Sequence, residues 1–122
     1  MKFYKCEHCG NIVSFLWASG AQLTCCGDIM KELVANTVEA SYEKHIPVVV
    51  ADGNKITVKV GSIDHPMLPE HHIVFVVAET DQGFIKKTLT VGGKPECSFI
   101  LNDGEKLLNV YEYCNLHGLW KN

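Results

Sequence analysis

A thiolate and four imidazoles in the second half of the chain form the set of side chains best suited to redox chemistry. Cys114 and His117 are three positions apart and can bind one ion across a turn. His45, His65 and His71 supply three further nitrogen donors, which makes one donor more than a closed tetrahedral zinc site uses. Five protein ligands leave an octahedral metal one free position, where small oxygen species can react. The residue types therefore predict an open, redox-active metal site.

Four cysteines near the N-terminus predict a second metal site. Cys6 and Cys9 have the spacing of a metal knuckle, and Cys25 and Cys26 are adjacent. Neighbouring side chains tend to point apart, so two bonds from Cys25 and Cys26 to one ion should distort the tetrahedron. Four thiolates select zinc or iron. Spacing alone favours structural zinc and leaves a rubredoxin-like iron electron carrier as the alternative.

Copper is a poorer fit to the five-donor set. Blue-copper sites also lie on β-sandwiches and use cysteine and histidine, but an axial methionine usually follows the last histidine. Residues 118–122 contain no methionine. His71 and His72 are adjacent and cannot both face inward in an extended segment, and spacing does not decide between them.

Glu43 and Lys44 directly precede His45. Taken alone, they indicate an exposed ion pair in a loop. Beside an open metal position, the ammonium of Lys44 can attract a small anion and support its protonation, and the carboxylate of Glu43 can cap the oxidised metal.

Composition limits the classes of function. The chain of 122 residues has a net charge of −3 and no arginine, and its 11 basic residues are all lysine. Nucleic-acid binding normally leaves a clustered basic surface, so it is not expected. The sequence shows no signal peptide and no membrane span, which predicts a cytoplasmic protein. In a reducing compartment, cysteines serve as metal ligands more readily than as disulfides.

The pattern of the chain predicts two domains, and the fold is mainly β. Residues 1–36 have too little apolar material for an independent core and need a metal. Residues 37–122 alternate as an immunoglobulin-like antiparallel β-sandwich. Three hairpins are predicted, with arms 46–51 and 55–60, 73–79 and 84–91, and 97–101 and 106–113. The five donors of the open site lie between these strands: His45, His65, His71, Cys114 and His117.

The combined motifs resemble the desulfoferrodoxin family over essentially the whole chain. The Cys6, Cys9 and Cys25-Cys26 spacing resembles the small desulforedoxin-like domain. The segments Glu43-Lys44-His45, His65-Pro66-Met67 and Cys114-Asn115-Leu116-His117-Gly118, with His71, resemble the active-site motif of that family.

The resemblance implies a role for each matched residue. Cys6, Cys9, Cys25 and Cys26 would bind an iron ion, although zinc is possible there. His45, His65, His71 and His117 would be equatorial ligands of a second iron with Cys114 axial, which selects His71 over His72. Lys44 would attract superoxide and Glu43 would occupy the sixth position of the ferric resting enzyme.

The implied activity is superoxide reductase, the one-electron reduction of superoxide to hydrogen peroxide with an external donor. The family further implies a rubredoxin-like donor and a homodimer. The alternatives are a two-metal electron-transfer protein without substrate, a structural zinc-binding interaction module, and a dismutase that evolves dioxygen.

Overall fold

The computed structural model describes residues 1–122 and separates them into two units, Met1–Val34 and Ala35–Asn122. The first unit contains five short strands: β1 (Phe3–Lys5), β2 (Ile12–Val13), β3 (Thr24–Cys25), β4 (Asp28–Ile29) and β5 (Lys31–Leu33). Strand β1 lies between β2 and β5 in an antiparallel sheet, and β3 pairs with β4. Its buried hydrophobic residues are Phe3, Cys6 and Met30. So small a core needs a metal to stabilise it.

The second unit is an antiparallel β-sandwich of seven strands. It begins with one helical turn and continues with the strands in chain order: α1 (Tyr42–His45), β6 (Pro47–Asp52), β7 (Lys55–Val60), β8 (Ile73–Thr80), β9 (Gly83–Thr88), β10 (Glu96–Ile100), β11 (Leu107–Cys114) and β12 (Gly118–Lys121). One sheet has the order β10-β7-β6 and the other β12-β11-β8-β9. The predicted mainly-β fold is confirmed. No helix in the structure has the length and apolar character needed to cross a membrane.

The core of the sandwich lies between the two sheets. Strand β7 alternates exposed and buried residues, and Ile56, Val58 and Val60 point inward. They pack with residues of the opposite sheet, among them Val76 and Val110. The period of two that the sequence shows over 55–60 is therefore the pleat of a half-buried strand.

The third predicted hairpin is wrong. Strand β10 pairs with β7, whereas β11 pairs with β8 and β12, so the two arms lie in different sheets. The turn between them is closed by the Glu105 N–H, which donates to the Asn102 carbonyl at 3.1 Å. The Thr80 hydroxyl also donates to the Glu105 carboxylate at 2.5 Å. This turn carries the chain from one sheet to the other.

The end of the sandwich also differs from the prediction. Cys114 is the final residue of β11 rather than a residue of the following loop, and β12 comes after it. Pro47 pairs with Val60 in one sheet, while Cys114 pairs with Ile73 and Gly118 in the other. Three short segments adjoin these paired strand ends: the helical turn, the 61–72 loop and the β11–β12 turn. The strand pairing therefore brings these segments together.

Candidate metal centres

His45 is the last residue of α1 and is 2% exposed. Its Nδ1 donates to the Ser41 carbonyl at 2.7 Å, which leaves the lone pair of Nε2 to face the interior. The imidazole also stacks on Trp120, with a centroid distance of 4.7 Å and an interplanar angle of 26°. Two contacts therefore fix the orientation of this ring.

His65 and His71 come from the loop between β7 and β8. The Nδ1 of His65 donates to the Pro66 carbonyl at 2.7 Å, so its Nε2 is also directed inward as an acceptor. Leu68 and His71 form an isolated β-bridge, with N–H···O distances of 2.9 and 3.1 Å. The buried Nε2 of His71 has no hydrogen-bond partner. A buried and unpartnered nitrogen is costly unless it binds something.

Cys114 and His117 lie at the two ends of the β11–β12 turn. Gly118 follows with a φ of +76°, which closes the turn in the left-handed region. The indole N–H of Trp120 donates to the His117 carbonyl at 3.0 Å. Burial raises the pKa of the Cys114 thiol, and the N–H groups of His117 and Leu116 lower it by a smaller amount.

These five side chains converge on one point. The donor atoms of His45, His65, His71, Cys114 and His117 all lie within 4.8 Å of one another. His45 Nε2 is 3.2 Å from His65 Nε2 and 3.1 Å from His117 Nδ1, and Cys114 Sγ is 3.8 Å from His117 Nδ1. Two imidazoles bound side by side to an ion with bonds of about 2.1 Å are about 3.0 Å apart, so the arrangement fits a metal ion.

The protonation state also suits a ligand role. Burial lowers the pKa of His45 and of His71, and it lowers that of His65 to about 4. Burial is the largest cause for all three because a charged imidazole loses hydration inside the protein. Neutral rings are the form that binds metal.

The structure distinguishes His71 from its neighbour. His72 is outside the five-donor group, and its Nδ1 donates to the Leu68 carbonyl at 3.0 Å. The alternation of a β-bridge turns one of the two adjacent side chains inward and the other outward. His71 is the inward one.

Asn115 joins the two segments that carry His71 and Cys114. Its Oδ1 accepts from the His72 N–H at 2.9 Å, and its Nδ2 donates to the Glu70 carbonyl at 3.0 Å. Its own N–H donates to the His72 carbonyl at 3.2 Å. One asparagine therefore bonds to the backbone on both sides of His71. Sequence inspection gives Asn115 no role, because these contacts span more than 40 positions.

Glu112 is a buried carboxyl group two positions before Cys114. It is fully buried, and neither of its oxygens has a hydrogen-bond partner. Burial raises its pKa to about 9, so it is protonated at neutral pH. No signal in the sequence of β11 distinguishes this glutamate from an exposed one.

Glu43 and Lys44 lie next to the five-donor group without belonging to it. Both side chains are exposed. The Ser41 hydroxyl donates to the Glu43 carboxylate at 2.6 Å, and this bond is the main cause that lowers the pKa of Glu43. The charge of Lys44 contributes to the lowered pKa of both His45 and His71. The ammonium is therefore close enough for its field to reach the donor group.

The four N-terminal cysteines form the second donor group, called here the four-thiolate group. The sulfurs of Cys6, Cys9, Cys25 and Cys26 lie within 4.8 Å of one another, and Cys25 Sγ is 3.6 Å from Cys9 Sγ and 3.9 Å from Cys26 Sγ. Tetrahedral thiolates with bonds of about 2.3 Å are about 3.8 Å apart, so this group also fits a metal ion. The Cys9 N–H is the main cause that lowers the pKa of Cys6 to about 6. The other thiols, Cys9 first, raise that of Cys26 to about 12.

Comparison with known proteins identifies two family models along the chain. The model described as Desulfoferrodoxin matches residues 37–122. The model described as Desulfoferrodoxin, N-terminal domain, matches residues 1–33.

Related proteins match between two thirds and almost all of the chain. A desulfoferrodoxin of Syntrophotalea carbinolica is 46% identical over 98% of this chain and 94% of its own length. A superoxide reductase of Pyrococcus horikoshii is 33% identical over 66% of this chain and 84% of its own. The crystal structure of the superoxide reductase from Treponema pallidum matches with a TM-score of 0.83 and 38% identity, and covers 99% of this chain and 97% of that one.

Proposed function

The chain belongs to the desulfoferrodoxin family, and from that premise we propose that it is a superoxide reductase. The observation that carries the proposal is the convergence of four imidazoles and one thiolate on a single point. Five protein donors leave an octahedral ion one position for a substrate. No sixth histidine, cysteine or carboxylate belongs to the group.

The proposed metal is iron, which would be held by His45 Nε2, His65 Nε2, His71 Nε2, His117 Nδ1 and Cys114 Sγ. Bound there in the ferrous state, it would supply the single electron that, with two protons, turns superoxide into hydrogen peroxide. The Cys114 thiolate is the one anionic donor among the five, and it contributes electron density as thiolates do in haem enzymes.

Lys44 attracts the substrate to the centre. The net charge of −3 repels an anion at long range, so a local positive field is needed. Lys44 is exposed, and its charge contributes to the lowered pKa of His45 and His71. Its ammonium also supports the protonation of the reduced oxygen.

Glu43 caps the centre in the oxidised resting enzyme. Its carboxylate is ionised at neutral pH like that of any exposed glutamate, and the Ser41 hydroxyl lowers its pKa further. It is exposed at the first turn of α1, two residues from His45. When this carboxylate gives up its hydrogen bond with the Ser41 hydroxyl, it can act as a sixth ligand.

The four-thiolate group would hold a second iron. Cys6, Cys9, Cys25 and Cys26 are the ligands, and zinc is the alternative occupant that four thiolates also accept. The electron donor is a rubredoxin-like protein, and the enzyme is a cytoplasmic homodimer that removes superoxide.

The proposed function is tested by metal analysis and product analysis on the full chain. Two iron ions per chain are expected, and the reduced protein should convert each superoxide from a radiolysis pulse into one hydrogen peroxide without evolving dioxygen. Dioxygen at half the superoxide consumed would indicate a dismutase. An absence of reaction with superoxide would indicate an electron-transfer protein. Zinc alone in both sites would indicate a structural module.

A further inference from the structure

Gly61 lies where no other residue fits. Its φ of +81° is in the left-handed region. A β-carbon at this position would lie 2.4 Å from the Ile63 carbonyl oxygen, 2.7 Å from the Glu43 carbonyl oxygen and 2.8 Å from the Lys44 carbonyl carbon. These neighbours are backbone atoms, which cannot move aside as a flexible side chain can. The turn that follows β7 therefore touches the backbone of the Glu43–Lys44 peptide directly.

Hydrogen bonds hold the same two segments together. The Ile63 N–H donates to the Glu43 carbonyl at 3.0 Å, and the Ser62 hydroxyl donates to that oxygen at 3.3 Å. The Gly61 N–H donates to the Ile46 carbonyl at 3.2 Å. Residues 61–63, called here the 61–63 turn, thus bind both sides of the Lys44-His45 dipeptide.

The helical turn α1 is too short to hold its own position. It has four residues, and no side-chain hydrogen bond caps its N-terminus. Isolated helices of this length are not stable in water. His45 has further anchors in the Ser41 carbonyl and Trp120. The side chain of Lys44, in contrast, is exposed. The place of Lys44 is therefore determined through its backbone.

We propose that the 61–63 turn positions Lys44 for superoxide capture, with Gly61 and Ser62 as positioning residues that act through the Glu43–Lys44 backbone. This inference rests on the proposed function. A displaced backbone moves the ammonium away from the approach to the metal centre, while the five donors keep their own anchors.

The test compares two glycines of equal conformation. Gly104 has a φ of +80° and nothing within 4 Å of its β-position, so Gly104→Ala introduces the same backbone strain without the collision. Gly61→Ala is expected to lower the second-order rate constant with superoxide roughly tenfold at low ionic strength relative to Gly104→Ala. Ser62→Ala, which removes only one exposed donor, should lower it about twofold and covers the case that Gly61→Ala does not fold.

A double-mutant cycle separates positioning from general damage. In a Lys44→Ala background, Gly61→Ala should change the rate constant by less than about twofold and Ser62→Ala should leave it unchanged, because the group they position is gone. Amide hydrogen exchange of Ile63, measured without any turnover, should accelerate in Gly61→Ala. Equal rate constants for Gly61→Ala and Gly104→Ala, or an undiminished loss in the Lys44→Ala background, would overturn the inference. If the unmodified reduced protein does not consume superoxide, the proposed function itself fails, whatever the exchange data show.

Discussion

The Ser41 hydroxyl donates a hydrogen bond of 2.6 Å to the Glu43 carboxylate, while the Ser41 carbonyl accepts one of 2.7 Å from His45 Nδ1. The backbone of Ser41 thus holds His45, a candidate metal ligand. Its side chain holds the Glu43 carboxylate, the proposed cap. Glu43 lies outside the five-donor group, so the proposed capping requires its carboxylate to move from its present position on this hydroxyl. The hydrogen bond therefore opposes capping.

Ser41→Ala should favour the capped form of the oxidised enzyme. The bond to Ser41 competes with capping by the Glu43 carboxylate, so its loss should lower the apparent azide affinity of the ferric protein roughly fivefold. Absorption titration with azide measures this. Ser41→Thr keeps the hydroxyl and should bind azide like the unmodified protein. In Glu43→Ala, azide affinity should rise and should no longer respond to Ser41→Ala; an unchanged response there would contradict the capping role.

Lys44→Ala should slow superoxide capture by roughly tenfold at low ionic strength, because a local cationic field is lost. The difference from the unmodified protein should shrink as salt increases, since salt screens exposed charges over about 10 Å at 0.1 M. Stopped-flow or pulse-radiolysis rates at several ionic strengths provide the measurement. Lys44→Arg keeps the charge and serves as the matched control. Equal rates for Lys44→Ala and Lys44→Arg at low salt would remove this ammonium from the mechanism.

Asn115→Ala should weaken metal binding at the five-donor centre by about 10- to 100-fold, the range for loss of a group that orients a ligand. It removes the side-chain bonds to the backbone at His72 and Glu70, on both sides of His71. Competition with a chelator, followed by metal analysis, measures the loss. The four-thiolate group in the same molecule is the internal control and should keep its metal. Asn115→Asp retains the acceptor for the His72 N–H, so its metal affinity should lie between those of Asn115→Ala and the unmodified protein.

Glu112→Gln should remove a pH dependence of stability. The pKa of Glu112 is about 9 in the folded protein and 4.5 in a free side chain, so the folded state binds the extra proton between these values. The contribution of this carboxyl group to the free energy of unfolding is therefore fully present below pH 4.5 and is lost as the pH rises towards 9. The interval of about 2.5 pKa units between 4.5 and neutral pH corresponds to a penalty of the order of 3 kcal/mol, which the amide avoids. Urea unfolding of Glu112→Gln and the unmodified protein from about pH 5 to 9 tests this; parallel curves would show that Glu112 keeps its charge.

Local patterns predict the strands better than their partners. The alternation over Lys55–Val60 indicates β7 with its observed bounds, because a half-buried strand shows its pleat in the sequence. The turn signal at residues 102–105 is equally clear, yet it joins β10 and β11 in different sheets. A turn fixes where the chain reverses. It does not determine which strand the next segment pairs with, since that depends on burial across the whole sandwich.

The donor residues of both sites can be predicted from their types and spacing, and the structure brings each set together. Spacing does not separate His71 from His72, because the choice depends on the bridge between Leu68 and His71. The contacts of Asn115 and the burial of Glu112 cannot be predicted from the sequence either. Each depends on segments far apart in sequence whose approach the sandwich alone determines.

The spread of the donors along the chain implies an order of maturation during protein synthesis. The four cysteines lie between positions 6 and 26, so a nascent chain can capture an ion there soon after this stretch leaves the ribosome. The other set runs from position 45 to position 117 and comes from three segments that meet only at strand ends. The five-donor set can bind an ion only after the sandwich has closed, so a chain that folds with limiting metal should fill the four-thiolate group first.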